Sequence, residues 1–353
     1  MAFKLEKRVE PDNETLIEAM TVFETPKEFY DQARLMVTNE ELVLIARMGM
    51  RICPVDELRK IAVENNLADD ADGFIDSAWR RVIIDKTEDE ETGEIKYKVT
   101  NFYVRYPIFA QYEPEMYRTI PKPVMDAMNE WDFSVYLAKN RQIVLDKMKG
   151  AGLGAKMHQS DFMSLDEALL AIDECETQIT IVPCNCRAML YYHHKPTDVC
   201  INLGRDQDAL NSQQTRGYGR KVTKEEAKAL IRQCYKDGLM QCGEYEHYCN
   251  CDGIGCYPMK MAKALGSRGA YPLAHYKIDF HEDECDHCGI CAKMCNFNAF
   301  AYDAYKKVIF DPEKCYGCTI CSANCPLNAI HLIKIEDTPI PGSRAAALAM
   351  KRG

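Results

Sequence analysis

The sequence predicts an α+β chain in three parts, and three observations lead to that reading. The front carries apolar residues at helical spacing followed by an alternating hairpin; the middle has a short β-branched run ending in paired cysteines; the end holds two equal four-cysteine runs between matching strand-like residues. At 353 residues the chain can build two or three cores. Its 47% hydrophobic content and net charge of −10 are ordinary, whereas 18 cysteines are not. The amino terminus alternates in charge without an apolar signal core, and no apolar run approaches the length of a membrane span. The expectation is a cytoplasmic, anaerobically handled protein whose thiols serve as metal ligands rather than disulfides, with no membrane partner.

Residues 1–37 read as a packing arm, an acidic lead followed by Phe29, Ala33 and Met36 on one helical face. Residues 38–150 open with three helices. Residues 40–48 place Leu42, Ile45 and Ala46 inward, a second helix from Pro54 buries Leu58, Ile61 and Ala62, and residues 71–84 bury Phe74, Ile75, Ala78 and Val82. Ile83 and Ile84 then pair with the alternating Ile95, Tyr97 and Val99 across a turn at Thr92-Gly93. This order resembles a winged-helix domain, which implies a third helix able to read the DNA major groove. The charge argues otherwise. The wing tip reads Glu88-Asp89-Glu90-Glu91, Asp69, Asp70 and Asp72 begin the third helix, and only Arg80 and Arg81 end it. Phosphate would be repelled, so contact with protein is expected and nucleic acid is not. Residues 103–109 alternate like a strand, and the aromatic residues from Tyr112 to Tyr136 read as core. The GxG start at residues 150–155 follows a helical run over 135–148 rather than a strand, so it reads as a linker and not a dinucleotide fingerprint.

Residues 151–270 form a central α/β cysteine-rich part. Ser164 and Glu167 make a capping box ahead of Leu169, Leu170 and Ile172. The strand-like Ile179-Thr180-Ile181-Val182 ends in Pro183-Cys184-Asn185-Cys186-Arg187, delivering two thiols and an arginine to one spot. Cys200 follows, and then Cys249, Cys251 and Cys256 among turn-forming glycines. Some four of these six thiols are expected to hold a third metal site, either a [4Fe–4S] cluster or structural zinc, with unligated thiols as the remaining possibility. Arg187 is a candidate for holding an anion there. Arg216 and Arg220 lie in a glycine-rich turn before a second capping box at Thr223 and Glu226, which reads either as an anion site or as a solvated loop. That helix runs through Ala227, Leu230, Ile231 and Cys234 to a Gly238 stop. His193 and His194 read as surface residues, Cys53, Cys175 and Cys234 as buried thiols, and Cys242 has no assigned role.

Residues 271–336 carry Cys285, Cys288, Cys291 and Cys295 at C-x2-C-x2-C-x3-C spacing, repeated by Cys315, Cys318, Cys321 and Cys325. Flanking residues repeat too: Tyr276-Lys277-Ile278-Asp279 answers Lys307-Val308-Ile309-Phe310, and Asn298-Ala299-Phe300 answers Asn328-Ala329-Ile330. A tight loop with cysteines three apart can present three thiolates to one small cage. A zinc ribbon would need a longer gap between cysteine pairs, and a disulfide framework belongs to small secreted chains. Residues 276–335 resemble a bacterial two-[4Fe–4S] ferredoxin domain. That resemblance implies two clusters, one held by Cys285, Cys288, Cys291 and Cys325, the other by Cys315, Cys318, Cys321 and Cys295. The chain departs from the family at Asn296, where proline usually follows the fourth cysteine. With its P-C-x-C-R strand end, G-x-G-R turn and C-N-C group, the middle also resembles large ferredoxin-like proteins of anaerobes, although Asp252 and Gly255 stand where further cysteines would be expected. Residues 337–353 read as a short helical tail.

These resemblances imply an electron-transfer protein, a subunit or partner of an anaerobic oxidoreductase whose redox partner is a flavoprotein or large reductase subunit. Two other readings stay open: an oxidoreductase with its own substrate site at the central cysteines, and a redox-sensing winged-helix regulator.

Overall fold

The computed structural model describes residues 8–150, 161–190, 194–244 and 247–335. The start of the arm, the glycine-rich stretch after Gly150, His193 and the tail lie outside the described residues. The mixture of helices and small antiparallel sheets is an α+β architecture. The chain divides into two compact units, Met1–Asp132 with Asp208–Tyr218, and Phe133–Gln207 with Gly219–Gly353.

In the first unit, helices α1 (Asn13–Val22), α2 (Tyr30–Met36) and α3 (Asn39–Met48) precede a short strand β1 (Cys53–Pro54). Helices α4 (Val55–Glu64) and α5 (Ala71–Arg80) lead to the hairpin β2 (Ile84–Glu88) and β3 (Ile95–Val99), and β1 joins the hairpin in the order β1-β3-β2. Side chains set the helix starts: Asp12 caps α1, Thr38 and Glu41 form a capping box on α3, and Asp70 caps α5. Helix α5 stops earlier than its apolar spacing suggests, because Val82 turns to φ +63° and sends the chain into β2.

Residues 103–109 are not a strand: they belong to α6 (Phe102–Tyr112), capped by Asn101, whose Oδ1 accepts the Val104 N–H at 3.0 Å. Their alternation is accidental, since the buried positions Phe102, Arg105, Tyr106 and Phe109 keep helical spacing. Packing decides it. Phe102 meets Phe29 and Trp131 at ring separations of 6.1 and 5.3 Å. Helices α7 (Pro114–Tyr117) and α8 (Lys122–Met148) follow.

In the second unit, α8 ends in a core with Val144 against Met261, Ala262 and Tyr271. Strands β4 (Asp161–Phe162), β5 (Ile179–Pro183), β6 (Asp198–Asn202), β7 (Arg220–Val222), β8 (Met240–Glu244) and β9 (His247–Cys251) form one sheet, ordered β4-β8-β9-β6-β5-β7. Every pairing is antiparallel. Helices α9 (Leu165–Glu174), α10 (Asn185–Met189), α11 (Lys224–Lys236) and α12 (Tyr257–Leu265) connect the strands or follow them. The chain then enters two two-stranded sheets: β10 (Tyr276–Phe280) pairs with β13 (Ile330–Lys334), and β11 (Phe300–Tyr302) with β12 (Val308–Phe310). Short helices α13 (Ile290–Met294) and α14 (Ile320–Ala323) sit at equivalent places in the two halves. No helix among the described residues is long and apolar enough to cross a membrane.

Candidate metal centres

The carboxy-terminal thiols gather as two sets of four. Cys285, Cys288, Cys291 and Cys325 line one pocket, walled by Phe280, Ile290, Leu327 and Ile330. Cys295, Cys315, Cys318 and Cys321 line another, walled by Ile278, Phe297, Phe300, Tyr316 and Ile320. Each set takes three thiols from one run and the fourth from the other.

The loops achieve this by the same backbone device. Positive φ occurs at His287, Gly289 and Asn298, and again at the equivalent Gly317, Thr319 and Asn328. The turns aim amides at sulfur: His287 N–H donates to Cys285 Sγ at 3.3 Å and Gly317 N–H to Cys315 Sγ at 3.4 Å. Ala299 N–H donates to Cys295 Sγ at 3.2 Å and Ala329 N–H to Cys325 Sγ at 3.3 Å. Such bonds favour thiolate and tune a cluster's potential. Burial works the other way, pushing Cys291 up to about 11 and raising Cys315, Cys318 and Cys321. Free thiolates are therefore disfavoured in these apolar walls, and ligation to a cationic iron core removes that penalty. The donor set fits a [4Fe–4S] cluster in each cavity.

The six central cysteines, scattered over three short segments in sequence, converge. Strand β5 ends at a bulge after Val182, and Cys184 caps α10, with Cys186 in its first turn. Cys200 lies on β6, where its sulfur is 3.6 Å from that of Cys249 on β9. Cys249 and Cys251 share a strand face by their spacing of two, and Cys256 caps α12. Hydrogen bonds link the thiols into a closed ring running Cys184, Cys186, Cys256, Cys251, Cys249, Cys200 and back to Cys184. All six are buried. A seventh joins them: Cys242 on β8 stands opposite Cys249 and contacts Cys251. Sequence reading left Cys242 without a role, although the alternation of Met240 with Cys242 and of Cys249 with Cys251 marks one face of a strand pair.

Charge within the ring is uneven. The Cys184 thiol is held well below its ordinary range, because Cys186 and Cys200 donate to it, against burial and with help from Arg187. Burial pushes Cys256 up, but bonds from Cys186, Cys251 and the Met259 backbone outweigh it and bring the thiol to about 6. Both thiols sit at helix N-termini, where partial positive charge favours an anion. The donors Cys186, Cys200 and Cys251 are correspondingly raised well above their usual range.

Arg187 lies beside the ring, its guanidinium 3.2 Å from Asp252, with both side chains 1% exposed. Its Nε donates to the Pro196 carbonyl at 2.8 Å, while Nη2 is buried without a hydrogen-bond partner among the described residues. Asp252 Oδ1 accepts the N–H groups of Ile254 and Gly255 at 2.7 and 2.6 Å, so it shapes the loop between Cys251 and Cys256. Gly255 faces Leu190 and Arg187, with a β-carbon there meeting Leu190 Cδ1 at 3.0 Å. Where more cysteines were expected, the chain has a buried ion pair and its packing space.

The other two arginines lie elsewhere. Arg216, in the first unit, is buried and donates to the carbonyls of Trp79 and Ile84 while pairing with Asp85. Arg220 begins edge strand β7, and its exposed side chain stands 3.9 Å from Glu226. Cys53, Cys175 and Cys234 are buried.

The central ring and the second cavity touch through a contact that sequence reading did not find. Gly253 N–H donates to Asn296 Oδ1 at 2.8 Å, and Asn296 Nδ2 donates to the Gly238 carbonyl at 3.2 Å. Lys263 Nζ donates to the carbonyls of Gly253 and Asn296 at 2.5 and 3.3 Å. Burial lowers the pKa of this ammonium, and the fields of Asp252, Cys256 and Cys295 oppose that. One cation thus feels a thiol from each site.

No curated protein and no solved structure matches this chain. Residues 284–329 match the family described as the 4Fe-4S dicluster domain. With four thiols converging in each of two apolar cavities, this stretch is a ferredoxin-like iron–sulfur segment.

Proposed function

We propose that the protein is an electron carrier in which two [4Fe–4S] clusters in the carboxy-terminal segment communicate with a third metal centre in the central thiol ring. A cluster bound in such a cavity exchanges single electrons. The observation that carries the reading is the contact of Gly253 with Asn296, which links the loop after Cys251 to the residue after Cys295. Asparagine replaces the family's usual proline there, and a proline would offer neither Oδ1 nor Nδ2. A third cluster is favoured over zinc because the same chain carries a 4Fe-4S family segment and the ring offers six soft thiols, more than the four ligands one tetrahedral ion takes.

The carrier reading extends to a flavoprotein or large reductase subunit as redox partner, in an anaerobic cytoplasm. The front region is read as winged-helix-like and used for protein contact; the order α3-β1-α4-α5-β2-β3 supports this. Its charges support it too: Arg81 is turned inward to Glu41 at 2.8 Å, and Arg80 pairs with Asp76 at 2.6 Å. These pairs leave α5 with little to offer phosphate, which counts against the DNA-binding regulator. A second reading, an oxidoreductase with its own substrate site, is favoured by one feature: the buried, unpartnered Nη2 of Arg187 beside the ring.

Metal and sulfide analysis of anaerobically purified full-length protein tests the proposal. About twelve irons, four per cluster, with little zinc is the expected result. About eight irons with one zinc would remove the third cluster, and absence of a reducible cubane signal by paramagnetic resonance would remove the carrier reading.

A further inference from the structure

On the carboxy-terminal segment, away from the sulfur ligands, three side chains offer nitrogen and oxygen donors to one point. One ligand atom each from His281, Glu284 and His331 lies within 4.8 Å of the others. His281 Nδ1 is 3.6 Å from Glu284 Oε1, and His331 Nε2 is 3.8 Å from Glu284 Oε2. The other ring nitrogen of His281 is already engaged, with Nε2 3.1 Å from Asp279 Oδ2. A proton on Nε2, donated to Asp279, leaves the Nδ1 lone pair facing Glu284, an arrangement common behind metal-bound histidines. His331 Nε2 has no hydrogen-bond partner among the described residues.

The scaffold is rigid where it matters. Asp279 and His331 are register partners in the β10–β13 ladder, His281 N–H donates to the Ala329 carbonyl at 2.9 Å, and Glu284 closes a turn onto the His281 carbonyl at 3.2 Å. The side chains of His281, Glu284 and His331 are 38, 48 and 42% exposed, so the group lies at the surface, with His331 Nε2 itself turned inward and buried.

We propose that His281, Glu284 and His331 bind one divalent transition-metal ion, with Asp279 orienting His281. Two imidazoles and a carboxylate suit Zn²⁺, Co²⁺, Ni²⁺ or Fe²⁺ rather than Ca²⁺ or Mg²⁺, and they leave coordination positions open to water or to a ligand from a partner. The site is placed to influence the first cluster cavity. Each ligand residue is the sequence neighbour of a residue lining that cavity: His281 of Phe280, Glu284 of Cys285 and His331 of Ile330. A dication there raises the local positive potential and favours the reduced form of whatever redox group the cavity holds.

The test uses full-length, anaerobically purified protein treated with a mild chelator that leaves its brown absorbance intact, titrated with Co²⁺ alone and then Zn²⁺. One Co²⁺ per chain should bind with ligand-field bands and without sulfur charge-transfer bands, which separates this site from the thiol ring. Zn²⁺ should displace it. Glu284→Gln and His331→Gln should each weaken binding about tenfold or more, and Asp279→Asn should do so by a similar or smaller factor. Zn²⁺ should also shift the midpoint of one of the carboxy-terminal signals upward in the wild type and not in His331→Gln. Iron content and signal intensity report whether each variant is intact. If His331→Gln loses its iron, Glu284→Gln, whose side chain is half exposed, carries the comparison. Co²⁺ binding that is weaker than about 100 μM, or that is unchanged in both variants, overturns the proposal.

Discussion

Replacing Gly253 with alanine would put a methyl carbon 2.4 Å from the Asn296 carbonyl oxygen, 2.8 Å from its Cβ and 3.1 Å from its carbonyl carbon. Two of these three atoms are backbone, and Asn296 follows Cys295, so the neighbour cannot swing aside as a flexible side chain would. The loop must move instead. Overpacking of this kind costs roughly 1–3 kcal/mol. Separating the 2.8 Å hydrogen bond from Gly253 N–H to Asn296 Oδ1 adds about 1 kcal/mol. Asn296→Ala removes the side-chain bonds without the clash, so its cost should stay near the lower figure. Thermal melting of the anaerobic protein, followed both by visible absorbance and by far-ultraviolet circular dichroism, measures the order of the two variants. Redox titration with paramagnetic resonance measures the consequence for function: magnetic coupling between the second cluster and the central centre should weaken in Gly253→Ala. An alanine variant that melts with the wild type and keeps its coupling would show that this contact does not hold the two sites together.

Three further outcomes follow from the same structure. Arg187→Met leaves Asp252 buried without its partner, which should cost about 3–5 kcal/mol and empty the thiol ring while sparing the carboxy-terminal iron; a full metal load at the wild-type melting temperature would refute this. Cys318→Ala removes one of the four thiols of the second cavity, so about four irons should be lost while the Cys285 set stays loaded, and iron analysis would expose a variant that loses none or all. Asp12 and Glu226 lie below the usual carboxylate range because the amides of Thr15 and Thr223 donate to them. Their contribution is therefore complete above about pH 4.5 and lost as pH falls through their lower folded values, so protection of those amides should drop only below about pH 4. A drop between pH 5 and 7 would contradict the assignment.

The signals legible in the sequence were local ones. The two cysteine runs declare themselves because three ligands of a cage can come from one loop, and the capping boxes at Ser164 and Thr223 need only four consecutive residues. The hairpin of β2 and β3 was readable for the same reason. The alternation at residues 103–109 failed because Arg105, Tyr106 and Phe109 continue the helical spacing set by Phe102 just ahead of it, and only contact of Phe102 with Phe29 and Trp131 reveals which period governs.

What the chain alone determined, then, was which cysteines could serve as ligands of a ferredoxin-like segment and the position of its most strongly periodic helices, since spacing along the backbone is enough to mark both. The pairing of six strands in the order β4-β8-β9-β6-β5-β7 was a matter for the tertiary structure, and with it the closing of a ring from thiols on three separate segments, the arrival of Cys242, and the meeting of Gly253 with Asn296. Such contacts depend on which surfaces bury one another, and residues distant in sequence carry no record of that until the core has packed.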